Sequence, residues 1–315
     1  MDGWRFCELG SLDFGSNAVM ADPKMLAQII GTSGFIAALD QSGGSTPEAL
    51  RLFGIRPTEY TSDAEMFRLM HEMRVRIITA PVFTGRIVIG AILFEQTMDG
   101  QVNGKSVPSY LWHERRVVPF VKVDNGVVAE SDGVSLMKDM PKLQPLLRRA
   151  VKLGIAGTKM RSTIRLANKQ GIAALVKQQF EVGERIADHD LMPILEPEVL
   201  IKSPNKAGAE AILRDELKRG LDALPAGRQV MLKLTIPEQP DFYLPLIEHP
   251  SVARVVALSG GYSRTDACEK LARNQKLIGS FSRAFLEDLK QSMSDAEFNA
   301  ALEVAAKEIY AASLG

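Results

Sequence analysis

Eight short apolar segments recur along the chain, and helix-period stretches separate most of them. The segments are GFIAALD (34–40), RIVIGAILF (86–94), RVVPFVKVD (116–124), GIAGTKMR (154–161), LMPILEPE (191–198), QVMLKLTI (229–236), VARVVALSG (252–260) and KLIGSFSR (276–283). A parallel strand buried on both faces reads as a nearly continuous apolar run, and each of these has strand length. Between them, residues 162–190 and 206–225 carry apolar positions at helical spacing. Such alternation predicts an α/β fold with a parallel sheet and helical crossovers. Eight repeats in roughly 265 residues fit a closed (β/α)8 TIM barrel. The competing architecture is an open doubly wound sheet, but no glycine-rich dinucleotide fingerprint follows any of the eight strands. No linker-like tract divides the chain, so residues 21–315 read as a single TIM-barrel domain and residues 1–20 as a loose N-terminal extension. The C-terminal SDAEFNAALEVAAKEIYAASLG reads as a capped amphipathic helix, either the eighth or an added one.

The ends of these segments share a second feature. Asp40, Lys122 with Asp124, Lys159 with Arg161, Glu196 with Glu198, Ser259 and Arg283 all fall at or near the C-terminal end of a strand. In a TIM barrel that rim builds the active site. Residues two apart on a strand share a face, so each of the three charged pairs presents both members inward if one member faces inward. Opposite charges from neighbouring strands then meet in one mouth.

Lys233 is the least expected residue of the set. It interrupts the run Met231, Leu232, Leu234, Ile236, and an ammonium in apolar surroundings must find a partner, reach water or lose its proton. Snorkelling from an edge strand and a buried ion pair are the ordinary solutions. Desolvation beside a second cation such as Lys159 or Arg161 gives a third, an amine free to attack a carbonyl. On this reading Leu232 and Leu234 make Lys233 the more desolvated of the two lysines, while Lys159 stays charged. A carboxylate at Glu196 would shuttle protons as the carbinolamine loses water. A lysine, a second lysine and a carboxylate are what Schiff-base chemistry requires.

Composition narrows the field. The chain has 38 basic and 38 acidic residues, so no overall field points to nucleic acid or an anionic membrane. No apolar run approaches the ~18 residues of a membrane span. The two cysteines, Cys7 and Cys268, fit a reduced cytoplasmic protein better than a disulfide framework. The four histidines, His71, His113, His189 and His249, form no HxH or HxxxH pair, so no metal cofactor is expected and zinc-dependent chemistry is disfavoured. A homo-oligomer is left open.

Eight stretches, in order, carry a resemblance: AALDQSGGST (37–46), ILFEQT (92–97), VKVDNGV (121–127), GTKMRS (157–162), ILEPEVL (194–200), LKLTIP (232–237), ALSGGYS (257–263) and GSFSRAF (279–285). Across about residues 25–310 the chain resembles the class I, Schiff-base fructose-1,6-bisphosphate aldolases of the short bacterial type. The resemblance implies reversible cleavage of fructose 1,6-bisphosphate to dihydroxyacetone phosphate and glyceraldehyde 3-phosphate. Lys233 matches the Schiff-base lysine, Glu196 the acid/base carboxylate and Glu198 its neighbour supporting the lysines. Lys159 matches the lysine assisting carbinolamine formation, and Asp40 the aspartate at the C4 hydroxyl. Ser259, Gly260, Ser282 and Arg283 resemble the cradle for the ketone-side phosphate. Ser42, Ser45, Lys122 and Arg161 match positions near the far phosphate or the sugar hydroxyls. Three departures from the vertebrate pattern stand out: Gln41 replaces an acidic residue, Ser282 replaces a glycine, and the long C-terminal arm ending in tyrosine is missing.

The residues support the phosphate cradle on their own account. Gly260 and Gly261 after the seventh strand permit close backbone approach to an oxyanion. SRAF after the eighth is expected to add an arginine to a helix N-terminus. Two other readings remain at this stage: a different Schiff-base aldolase or transaldolase, and a non-catalytic scaffold binding sugar phosphate or protein.

Overall fold

The computed structural model describes residues 22–43 and 46–315, so the N-terminal extension lies outside the described residues. Eight parallel strands follow one another in chain order around the sheet. They are β1 (Phe35–Leu39), β2 (Val88–Leu93), β3 (Val118–Lys122), β4 (Gly157–Ile164), β5 (Met192–Val199), β6 (Val230–Thr235), β7 (Val252–Leu258) and β8 (Ile278–Gly279). Each expected segment contains a strand. The eighth keeps only two residues, paired to β7 through Val256–Ile278 and Ala257–Gly279. Just past it, the Phe281 carbonyl accepts the Ala38 N–H at 3.1 Å, which brings the last strand alongside the first. The fold is the (β/α)8 barrel expected.

Around the strands lie α1 (Pro23–Gly31), α2 (Asp63–Thr79), α3 (Leu143–Lys152), α4 (Lys169–Ala187), α5 (Lys206–Asp222), α6 (Arg264–Leu271) and α7 (Asp295–Ala312). Their starts are written locally. Ser62, Asn168 and Asn205 accept the N–H of Glu65, Gly171 and Gly208, satisfying donors that have no partner within the helix. Ser294 and Glu297 form a reciprocal capping box on α7. Residues 162–164, read as part of a helical stretch, extend β4 instead and pair with Pro197, Glu198 and Val199. Two small additions carry no expectation: a hairpin at Gln101–Val102 and Lys105–Ser106, and Val134–Ser135 running antiparallel to β4. Among the described residues no helix is long and apolar enough to cross a membrane.

Alternate residues of each strand enter two different cores. One set, including Leu39, Met160, Leu195, Leu232, Leu234 and Val255, packs outward against the helices. The other, including Ile36, Ile92, Phe120, Ile194, Met231, Val256 and Ile278, fills the barrel interior. Helix α1 closes the N-terminal end of that interior with Met25 and Ile29. Asp22 fixes its start, accepting from the Lys24 N–H at 2.9 Å and the Trp112 indole N–H at 3.1 Å. The Gln28 amide ties it to the carbonyls of Ile89 and Arg116. That end is apolar and includes a cavity of about 310 Å³ lined in part by Met25, Ile29, Phe120 and Met231, while the C-terminal mouth is left to the charges.

Candidate active site

Strand register decides which side chains meet. Arg161 of β4 lies opposite Glu196 of β5, and Lys159 pairs with Lys122 of β3. Between β5 and β6 the registered pairs are Ile194–Met231 and Leu195–Leu232. Two residues further along the inward face come Glu196 and Lys233, with Oε1 3.1 Å from Nζ. The other carboxylate oxygen, Oε2, lies 2.8 Å from Lys159 Nζ. Lys159 also reaches Asp40 Oδ2 at 2.6 Å. An unbroken buried line results: Asp40, Lys159, Glu196, Lys233.

Two further pairs flank the line. Lys122 contacts Asp124 Oδ1 at 2.8 Å, and Asp124 also accepts the backbone N–H groups of Arg161 and Gly126. Arg161 bonds Glu198 at the rim, its side chain 43 % exposed. Four cations thus face four carboxylates, and the cations of Arg74 and Arg283 stand outside these pairs.

Burial alone would raise a carboxylate pKa and lower that of an ammonium. Burial pushes the Asp40 carboxyl up, yet the ammoniums of Lys159, Lys233 and Lys122 outweigh it and hold the group well below the usual range. Asp124 is depressed in the same way, burial being overcome by Lys159 and Lys122. Burial pulls Lys159 down, but Asp40, Glu196 and Asp124 outweigh it and hold the ammonium above its ordinary value. Lys159 is therefore a fixed cation, as its expected role requires.

The reason given for a desolvated Lys233 needs correcting. Both lysines are 3 % exposed, so Lys233 is no more buried than Lys159. Leu232 and Leu234 point away, into the outer core. The apolar floor under Lys233 comes instead from same-face Met231 and from Ile194 and Val256 of the adjoining strands. What separates the two lysines is pairing: Lys159 has two carboxylate contacts under 3 Å, and Lys233 has one, longer contact.

The expected phosphate cradle also comes together. After β7, Gly260 (φ +61°) and Gly261 (φ +118°) take backbone conformations that favour glycine. A side chain at Gly261 would lie 3.5 Å from Arg283 Nη2, so that guanidinium stands over the glycine turn. Ser259 is buried, and Arg283 is exposed at the rim. The helix opened by SRAF is a single turn, Arg283–Leu286. It is too short to sum a useful dipole, which leaves the Arg283 guanidinium as the cation beside the glycine turn. Ser282 accepts a 2.7 Å hydrogen bond from the Gln41 amide. Ser42 is half-buried in the turn after β1, and Ser45 lies outside the described residues.

The histidines stay apart: His71 contacts the Gln101 carbonyl, His189 contacts Gln144, His249 contacts Asp222, and His113 is exposed. The Cys268 thiol is pushed up to about 11 by burial, which makes it a poor nucleophile. Two residues at the mouth carried no expected role. Asp124 sat in the strand-end series without one. Arg74 occupies a core-facing position of α2, in line with Met66 and Met70, and an arginine on that stripe is the signal that could have found it.

Fold and site together set two buried lysines and a carboxylate shared between them at the mouth of a (β/α)8 barrel. The family model for fructose-bisphosphate aldolase class-I matches residues 24–215. "Fructose-bisphosphate aldolase class 1" of Porphyromonas gingivalis is 52% identical over 291 residues, covering 92% of this chain and 99% of that protein. The protein of the same name from Synechocystis sp. is 53% identical over 281 residues, covering 89% and 94%. The chain belongs to the class I fructose-bisphosphate aldolases. Among solved structures, the fructose-bisphosphate aldolase of Plasmodium falciparum superposes with a TM-score of 0.69 at 18% identity, over 92% of this chain and 93% of that one. An archaeal fructose-1,6-bisphosphate aldolase, solved with its catalytic lysine bound to a carbinolamine intermediate, gives 0.51 at 12% identity, over 93% and 100%. At those identities the likeness is one of fold.

Proposed function

We propose that Lys233 is the Schiff-base nucleophile of this class I fructose-bisphosphate aldolase, with Glu196, Lys159 and Asp40 as its working partners. The enzyme reversibly cleaves fructose 1,6-bisphosphate to dihydroxyacetone phosphate and glyceraldehyde 3-phosphate. Glu196, 3.1 Å from Lys233, takes the ammonium proton, and the amine attacks the C2 carbonyl. Lys159 stabilises the developing oxyanion, and the protonated Glu196 gives its proton to the carbinolamine hydroxyl, which leaves as water and restores the carboxylate. The resulting iminium is the electron sink. Glu196 then removes the C4 hydroxyl proton while Asp40 positions that hydroxyl, and the C3–C4 bond breaks. The enamine is protonated and hydrolysed, returning the amine.

Glu198 holds Arg161 beside this centre, and Lys122, Arg161 and Ser42 serve the far phosphate and sugar hydroxyls. Ser45 belongs to the same proposal. Ser259, Gly260, Gly261, Ser282 and Arg283 hold the ketone-side phosphate. The reading takes residues 21–315 as one domain, requires no partner beyond the sugar phosphate, and places the reaction in the cytoplasm within glycolysis and gluconeogenesis. A phosphorylated sugar carries charge that a bilayer excludes, which supports that location.

A single observation carries the assignment: Glu196 is shared between a doubly paired lysine and a singly paired one. Borohydride trapping with dihydroxyacetone phosphate, followed by peptide mapping, tests it. Label is expected on Lys233; label on Lys159 or Lys122 would place the nucleophile on another strand.

A further inference from the structure

Two of the three departures from the vertebrate pattern touch each other. Gln41 Nε2 donates to Ser282 Oγ at 2.7 Å, across the seam where β1 meets the segment after β8. Behind Gln41 lies Arg74, 2 % exposed. Its Nη2 donates to the Gln41 carbonyl at 2.5 Å and reaches the Gln41 side-chain oxygen at 3.4 Å, while Nη1 donates to Thr97 Oγ1 at 2.7 Å. Among the described residues no carboxylate forms an ion pair with Arg74. Burial lowers its pKa to about 10, which still leaves it charged at neutral pH.

A guanidinium can only donate, so the amide oxygen of Gln41 must face Arg74 and the amide nitrogen must face Ser282. That orientation has a consequence. Ser282 receives a hydrogen bond from Gln41, so its own O–H proton is free to point elsewhere, and the next residue, Arg283, carries its guanidinium to the Gly261 turn. A carboxylate at position 41 would do the reverse, capturing the serine proton and adding negative charge beside an anion site.

We infer that Gln41, clamped by Arg74, is a positioning residue that turns the Ser282 hydroxyl into a donor for the ketone-side phosphate. The inference rests on the reading that Ser259–Gly261, Ser282 and Arg283 hold that phosphate. Gln41 acts through Ser282 and touches no reacting atom.

The test compares half-saturation of the borohydride-trapped adduct by dihydroxyacetone phosphate and by unphosphorylated dihydroxyacetone. The readout is the ratio of the two, the phosphate preference. Wild type showing no preference would defeat the phosphate cradle itself, and with it this inference. Given a wild-type preference, Gln41→Met should lower it roughly three- to ten-fold, the loss of one neutral hydrogen bond's organisation. Gln41→Glu, nearly isosteric, should lower it at least as far. In a Ser282→Ala background, Gln41→Met should add nothing, since contacts acting through one partner are not additive. Equal weakening toward both ketones, a further loss in the double variant, or an unaltered preference in Gln41→Glu would each overturn the inference.

Discussion

The two ends of the barrel are built from the same strands and obey opposite rules. At the N-terminal end, Met25 and Ile29 of α1 pack with Phe120, Ile194 and Met231 in an apolar cluster, and the Arg254 guanidinium bonds the carbonyls of Ile30 and Thr32 at its edge. Two residues further along three of those strands stand Lys122, Glu196 and Lys233. One step of inward-facing positions therefore separates an apolar core from a mouth where four cations pair with four carboxylates. The lesson concerns cost. Buried ion pairs contribute little net stability, because desolvation offsets their attraction, whereas apolar burial contributes directly. The lower end holds the barrel together, and the upper end draws on that stability for chemistry.

The sharpest way to break the comparison is at the mouth. Lys233→Ala should abolish the borohydride-trapped adduct, while Lys159→Ala should still form one at Lys233, slowly. Mass spectrometry of trapped peptides reads both, and an adduct persisting in Lys233→Ala would defeat the assignment. At the other end, Phe120→Ala should cost about 3–5 kcal/mol of unfolding free energy in denaturant titration, with adduct still mapping to Lys233. Loss of the adduct site in that variant while the chain remains folded would blur the division of labour.

Arg283→Ala should weaken dihydroxyacetone phosphate binding by about 1.5 kcal/mol, or roughly one decade, near the lower limit for a charge-assisted contact because Arg283 is exposed. Unchanged affinity in a titration would move the phosphate away from the glycine turn.

The smallest effect is a pH dependence of stability. The folded-state pKa of Asp40 is depressed below its ordinary 3.8. Its ion pairs therefore stabilise the fold fully above that value and are lost as pH falls through the folded pKa. The stability difference between wild type and Asp40→Asn should be flat from neutral pH down to about 5 and narrow below about 4. A difference that narrows already between pH 7 and 5 would mean that Asp40 is not held ionised by the lysines.

Much of this was legible in the sequence because parallel barrel strands are buried on both faces. Their apolar runs stand out, and the charges that end them are conspicuous. Spacing by two residues was enough to place Glu196 with Glu198 and Lys159 with Arg161 on common faces. What stayed hidden depends on neighbours distant in sequence. Leu232 and Leu234 flank Lys233 in the chain and leave it in space, so its true surroundings, Ile194 and Val256, emerge only once register is known. The sealing role of residues 23–31 is hidden for the same reason: an amphipathic turn does not announce which end of a barrel it closes. Arg74 and Ser282 lie 33 and 241 residues from Gln41, beyond the reach of local pattern.

The end of β1 has one more implication. Asp40 meets Lys159 at the centre of the site, and the very next residue, Gln41, meets Ser282 beside the proposed phosphate cradle. Consecutive Cα atoms across a trans peptide stand about 3.8 Å apart, and that spacing does not stretch. The peptide unit between them therefore couples the two contacts. A slip or tilt of β1 moves the carboxylate at Lys159 and the amide at Ser282 together, so the register of one strand governs both halves of the proposed site.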